Sequence, residues 1–73
     1  MSSKITIDTR GLKCPLPVLK LEKQLVNCTK KSKITLLTDD PVAIIDIPLF
    51  CQQNEHICTM EKNGDIFEFL IIV

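Results

Sequence analysis

The chain is 73 residues long, enough for one small domain with one compact core and too short for a second domain or a large enclosed active site. Trp and Tyr are absent and Phe occurs three times, which argues against a base-stacking nucleic-acid platform. Nine basic and nine acidic side chains cancel, so no bulk positive field draws the chain to nucleic acid or to a membrane.

The cancellation hides an asymmetry. Residues 1–33 hold eight basic and two acidic groups, whereas residues 34–73 hold one basic and seven acidic. Two solvated faces would account for this, and so would a cationic face used for docking. The N-terminus has no continuous apolar stretch of the secretory kind, and the longest apolar run, Phe69 to Val73, cannot span a bilayer. The expected location is therefore the cytosol, where thiols stay reduced. Cys14, Cys28, Cys51 and Cys58 form no C-x-x-C pair, so each needs its own explanation.

Lys4 to Asp8 alternates with Ile5 and Ile7 on one side and reads as a first strand. Thr9 to Lys13 contains Gly11 and reads as a loop. Pro15 to about Cys28 reads as a helix, with both prolines in the first turn, where backbone N–H groups have no intrahelical partner. Val18, Leu21, Leu25 and Cys28 form its core stripe. Lys20, Lys23 and Asn27 lie opposite, together with Leu16, a large apolar residue on the wet face.

Lys30 to Lys33 reads as a basic turn, and Lys33 to Thr38 as the second strand. Asp39-Asp40-Pro41 is a helix-start signal, an Asp cap followed by Pro at the first helical position. The second helix carries Ile44, Ile47 and Cys51 at helical spacing, flanked by Ala43 and Phe50. Pro48 either kinks it or marks the start of its regular part near Asp46. Val42, Ile45 and Leu49 form a second apolar stripe, which fits a neighbouring helix or a partner.

His56 to Glu61 reads as a third strand, Asn63-Gly64 as a hairpin signal, and Asp65 to Val73 as the fourth strand, with Phe67, Phe69, Ile71 and Val73 facing one way. The order is βαβαββ. It predicts an α+β fold, a two-layer sandwich in which a four-stranded mixed sheet carries both helices on one face, with residues 1–73 as a single domain.

Cys14 is the residue with chemistry to offer. At the entrance of a helix, N–H groups and the helix dipole favour negative charge, and Arg10 and Lys13 add cations nearby. Such surroundings lower a thiol from ~8.5 to ~3.5–7.5, so the expectation is a thiolate nucleophile at neutral pH. A resolving cysteine two residues away is missing. A Cys–His hydrolase would need His56 to fold back onto Cys14, and zinc would need ligands from distant cysteines without paired spacing. A reactive cysteine with no base, resolving partner or cleft suits a carrier that accepts a group and hands it on. Sulfane sulfur fits best, since exchange between persulfide and thiol needs only a nucleophile and docking surfaces, with no metal or cofactor.

Asp8-Thr9-Arg10-Gly11-Leu12-Lys13-Cys14-Pro15-Leu16-Pro17 resembles the D-x-x-G-x-x-C-P-x-P signature of the TusA/SirA-like sulfur-carrier family. Asp39-Asp40-Pro41 and Asp46-Ile47-Pro48-Leu49-Phe50-Cys51 resemble the same family's second-helix region, so the likeness covers essentially the whole chain. The resemblance implies an open βαβαββ sandwich, a persulfide on Cys14, and framing of that cysteine by Asp8, Gly11, Pro15 and Pro17. It implies as partners a cysteine desulfurase or other persulfide donor and a downstream sulfur-acceptor protein, with no direct contact to nucleic acid or membrane. The best-known family role relays sulfur toward 2-thiolation of the tRNA wobble uridine; other relatives serve sulfur oxidation, molybdenum-cofactor supply or selenium metabolism. Two departures stand out. Glu55-His56 replaces the Gly-His often found after the second helix, and Ile45 and Leu49 extend an apolar stripe, which opens a weak homodimer beside the monomer.

A cationic surface of Arg10, Lys13, Lys20 and Lys23, with Leu16 as apolar anchor, is the expected docking site for donor or acceptor. Two other readings stay open. One is a non-catalytic interaction module that uses the Val42-Ile45-Leu49 stripe, and the other is a thiol-redox regulator.

Overall fold

The computed structural model describes residues 4–27 and 31–73. The order is β1 (Lys4–Asp8), α1 (Leu16–Leu25), β2 (Lys33–Thr38), α2 (Ala43–Gln53), β3 (Ile57–Asn63) and β4 (Ile66–Ile72). The four strands form one sheet in the order β1-β2-β4-β3. β1 and β2 are parallel, with Ile5 opposite Ile34 and Ile7 opposite Leu36. β4 runs antiparallel to both β2 and β3. The mixed sheet and the βαβαββ order are those the sequence predicts.

The alternation of each strand decides which face meets the helices. Ile34, Leu36, Phe69 and Ile71 are fully buried with Leu21 of α1 and Ala43, Ile47 and Cys51 of α2. Ile5, Ile7, Val18, Leu25, Ile44, Phe50, Cys58 and Val73 pack around that centre. One helix stripe from each helix therefore seals one sheet face, as the 3.6-residue and two-residue periods require. Among the described residues, no helix is long and apolar enough to cross a membrane.

The second stripe of α2 points the other way. Val42, Ile45 and Leu49 are 48 %, 69 % and 49 % exposed, so they stand outside the buried core. Pro48 lies inside α2 without ending it. A mid-helix proline costs roughly 3 kcal/mol. The burial of Ala43, Ile47 and Cys51 on a single face is what a continuous helix preserves, and it offsets that cost.

Several boundaries differ from expectation for local reasons. α1 starts at Leu16, with Pro15 as its N-cap, and ends at Leu25; Cys28 and Lys30, assigned from sequence to the core stripe and the basic turn, lie outside the described residues. Pro41 sits in the turn before α2 rather than at its first position. The hairpin loop is Gly64-Asp65, closed by the Asn63–Ile66 pair. Gly64 has φ +63, and Asp65 is not among the positive-φ residues, the arrangement of a type II′ turn.

The departure at Glu55 is resolved in the same terms. α2 ends with the His56 N–H donating to the Cys51 carbonyl at 2.8 Å and the Glu55 N–H donating to that of Gln52 at 3.3 Å. This is the pattern of a Schellman motif, whose left-handed residue is usually glycine. Glu55 takes that position at φ +60, so the turn keeps the glycine conformation without the glycine.

The two faces of α2 predict opposite responses to truncation. Ile47→Ala should lower the stability read from urea unfolding by about 2–5 kcal/mol, and Ile45→Ala should change it by less than about 0.5 kcal/mol. Equal losses at the two positions would show that the core stripe has been assigned to the wrong face.

Candidate active site around Cys14

The loop from Thr9 to Cys14 is fixed by its neighbours across the sheet. Thr9 is fully buried, and both its N–H and its hydroxyl donate to the Leu37 carbonyl, at 2.8 and 2.5 Å. Asp8 accepts from the Arg10 backbone N–H at 3.0 Å and takes the Arg10 guanidinium in a two-point ion pair at 2.9 and 2.7 Å. The guanidinium beside Asp8 lowers its carboxyl to about 2. Gly11 stands at φ +82, a conformation that glycine adopts without steric cost.

Two aspartates at the end of β2 complete the clamp. The Gly11 N–H donates to both carboxylate oxygens of Asp39, at 3.0 and 3.1 Å. The Cys14 N–H donates to Asp40 Oδ2 at 2.6 Å, while Asp40 Oδ1 accepts from the Val42 N–H at 3.1 Å. Asp40 thus ties the turn before α2 to the cysteine backbone; the Asp cap expected from sequence does not form, since the N-cap is Val42 and carries no side-chain cap bond. Its own N–H donates to the hydroxyl of buried Thr38 at 3.2 Å.

Cys14 is exposed, and its thiol donates a hydrogen bond to Asp46 Oδ2 on the first turn of α2. That contact, loss of hydration and the negative charges of Asp46 and Asp40 raise the thiol above its ordinary range. The expected thiolate is therefore corrected: the free site holds a protonated thiol. The cause is the arrangement of charge. Arg10, counted from sequence as a cation for the sulfur, is paired with Asp8, and the charges facing the sulfur are carboxylates.

The remaining predicted residues fall into two groups. Pro17 is buried in the first turn of α1. Pro15 joins Val18, Asp46, Leu49, Phe50 and Gln53 around an open groove of about 200 Å³ beside the cysteine. Leu49, from the outward stripe of α2, thus lies next to the site. Lys20 and Lys23 line a different depression with Ile7, Gln24 and Asn27. Lys13 and Leu16 are exposed. The five proposed docking residues are accessible but do not converge on one cavity. His56 packs against Phe50, with ring centroids 6.4 Å apart, and the group bonded to the sulfur is Asp46.

Asp39, Asp40 and Asp46 escape a reading by linear proximity, since they lie 26 to 32 residues from their partners in the loop. The acidic second half of the chain and the Asp-Ile-Pro block are the sequence features that carry them. Cys51 and Cys58 are also free thiols. Burial raises Cys51 to about 12 and also raises Cys58, and the two side chains are hydrogen-bonded.

A family model described as Sulfurtransferase TusA matches residues 5–73. Among solved structures, a SirA-like protein from Desulfitobacterium hafniense is similar, at 25% identity and a TM-score of 0.84, over 94% of this chain and 96% of that one.

Burial and exposure separate the two α-helix-associated cysteines. Cys14→Ser should leave the urea midpoint within the equivalent of about 0.5 kcal/mol, whereas Cys51→Ser should lose about 1–3 kcal/mol by burying a hydroxyl in an apolar place. The Cys51 thiol also carries a pH signature. An unfolded cysteine ionises near ~8.5 and the folded one at about 12, so its contribution is complete below the first value and lost as pH rises through the second. Wild type should lose stability relative to Cys51→Ala over that window in urea titrations, and parallel curves would contradict the burial of the thiol.

Proposed function

The chain belongs to the TusA sulfurtransferase family, and we propose that within it the protein is a sulfur carrier whose Cys14 accepts sulfane sulfur as a persulfide and passes it to a downstream protein thiol. The observation that carries this reading is an exposed nucleophilic side chain held by its backbone at a fixed point, with Asp40 on the N–H and Asp46 on the sulfur. The groove beside it is open and shallow. Such a surface suits a partner's loop better than an enclosed small substrate.

The donor is a cysteine desulfurase or another protein that bears a persulfide. Transfer proceeds by thiol exchange: the Cys14 sulfur attacks the terminal sulfur of the donor, the donor S–S bond breaks, and the donor leaves as a thiol. The acceptor repeats the step on the Cys14 persulfide. No metal or cofactor enters this scheme. In this reading the carrier works in the cytoplasm and feeds a sulfur pathway such as 2-thiouridine synthesis in tRNA, reached through proteins rather than by direct RNA contact; the family's best-known role supports it. Asp8, Gly11, Pro15 and Pro17 act as the frame: Asp8 through Arg10, Gly11 through its φ and its bond to Asp39, Pro15 as a groove wall and Pro17 as a buried anchor.

Docking uses two surfaces. Leu49 and the adjoining Ile45 and Val42 supply an apolar rim beside the cysteine, which joins the outward stripe of α2 to the carrier reading. Lys13, Lys20 and Lys23, with Leu16, supply the cationic face along α1, and Arg10 contributes there as part of its pair with Asp8. Contacts of this kind steer association and weaken with salt. The protein works as a monomer or a weak homodimer, since its partners must reach the same rim.

Incubation with a cysteine desulfurase and cysteine, followed by intact mass measurement without reductant, should show the gain of one sulfur in wild type and none in Cys14→Ser. Sulfur gain that survives Cys14→Ser would overturn the assignment. In the same assay at low salt, reversing the charge of Lys20 and Lys23 should slow loading, and an unchanged rate would remove the cationic face from the docking site.

A further inference from the structure

A protonated thiol is a poor nucleophile, and the site holds Cys14 in that form. The same contact offers a remedy. The Cys14 Sγ–H points at Asp46 Oδ2, and Asp46 is held on the first turn of α2 with its side chain walling the groove in which an incoming sulfur would sit. The carboxylate is thus bonded to the one proton that must leave, and Asp46 lines the open groove beside it.

We propose that Asp46 is a catalytic base of this site, taking the Cys14 proton as the sulfur attacks the donor persulfide. The inference rests on the carrier reading above. The step balances without any oxidant or reductant. The Cys14 S–H bond breaks, and its proton passes to the Asp46 carboxylate. A bond forms between Cys14 Sγ and the donor's terminal sulfur as the donor S–S bond breaks. The donor cysteine leaves as thiolate and collects the proton from Asp46. One thiol and one persulfide are consumed, and one thiol and one persulfide are produced.

The charges that bear on the sulfur are accounted for from each element around it. Asp46 comes from α2 and Asp40 from the β2–α2 turn, and both oppose ionisation. From the cysteine's own loop, Arg10 is engaged by Asp8, and Lys13 is exposed next to Cys14 in sequence. Asp40 is occupied by the Cys14 and Val42 N–H groups, so Asp46 is the carboxylate placed to receive the proton. The pairing also protects the carrier at rest, because the thiolate forms only when an electrophile is in place to receive it.

The test compares wild type, Asp46→Asn and Asp46→Glu, with folding checked by urea midpoint. Glutathione persulfide serves as donor and iodoacetamide as an independent probe of Cys14. Loss of the carboxylate removes a negative charge from the sulfur, so Asp46→Asn should alkylate with a pH profile shifted to lower pH and rising tenfold per pH unit below its midpoint. Wild type should instead show a flat alkylation rate from about pH 6 to about pH 8, where a base assists a thiol. In persulfide transfer near neutral pH, Asp46→Asn should be slower by about tenfold or more despite its larger thiolate fraction, and Asp46→Glu should recover part of the loss. Transfer in Asp46→Asn as fast as wild type, or a wild-type alkylation rate that simply follows thiolate, would overturn the base assignment. Failure of every variant, wild type included, to take sulfur on Cys14 would instead strike the carrier reading, and the alkylation profiles would still decide the role of Asp46.

Discussion

The cysteine loop is shaped by carboxylates from the opposite half of the chain. Asp39 takes the Gly11 N–H, Asp40 takes the Cys14 N–H, and Asp46 takes the Cys14 thiol. The pairing of β1 with β2 brings these groups to one end of the sheet, because a parallel β-α-β connection places the ends of both strands side by side. The loop after β1 and the turn after β2 then meet by construction. The crevice beyond the carboxyl ends of parallel strands is where open α/β sheets place their chemistry, and this small sandwich follows the same rule.

That arrangement changes what the cysteine is. A sulfur at a helix entrance near two cations would be expected to ionise. The structure instead gives one of those cations, Arg10, to Asp8 and sets the negative charges of Asp46 and Asp40 against the sulfur. A resting thiol is compatible with sulfur transfer if its proton has somewhere to go, and the Asp46 carboxylate is already bonded to it. The chain's charge asymmetry also takes on a second meaning. Its acidic half contributes Asp39, Asp40 and Asp46 to the cysteine site as well as charge to a solvated face, while Lys20 and Lys23 of its basic half lie on α1.

The architecture was legible because it depends on periodicity. Ile34 and Leu36, Phe69 and Ile71, Leu21, and Ile47 with Cys51 announce their buried faces through spacing alone, whereas spacing left the stripe of Val42, Ile45 and Leu49 open between a neighbouring helix and a partner, and only the fold shows it exposed. The cysteine itself and the fixed positions around it, Gly11 and Pro17 among them, were visible in the motif. The electrostatics were not. Whether a carboxylate 32 residues away touches a sulfur depends on strand pairing and on the register of α2, and linear distance favours Arg10 and Lys13 instead. The helix boundaries at Leu16 and Ala43 and the loop at Gly64-Asp65 shifted by a residue or two, because caps and turns are decided by single hydrogen bonds rather than by a repeating pattern.

Whether Cys14 rests as a thiol bonded to Asp46 is decided by a pH titration of the Cys14 13Cβ chemical shift in the free protein. A single thiol signal is expected through neutral pH, with a midpoint above the ordinary thiol value of ~8.5. A midpoint below about pH 7.5, in the range of helix-entrance thiolates, would contradict it.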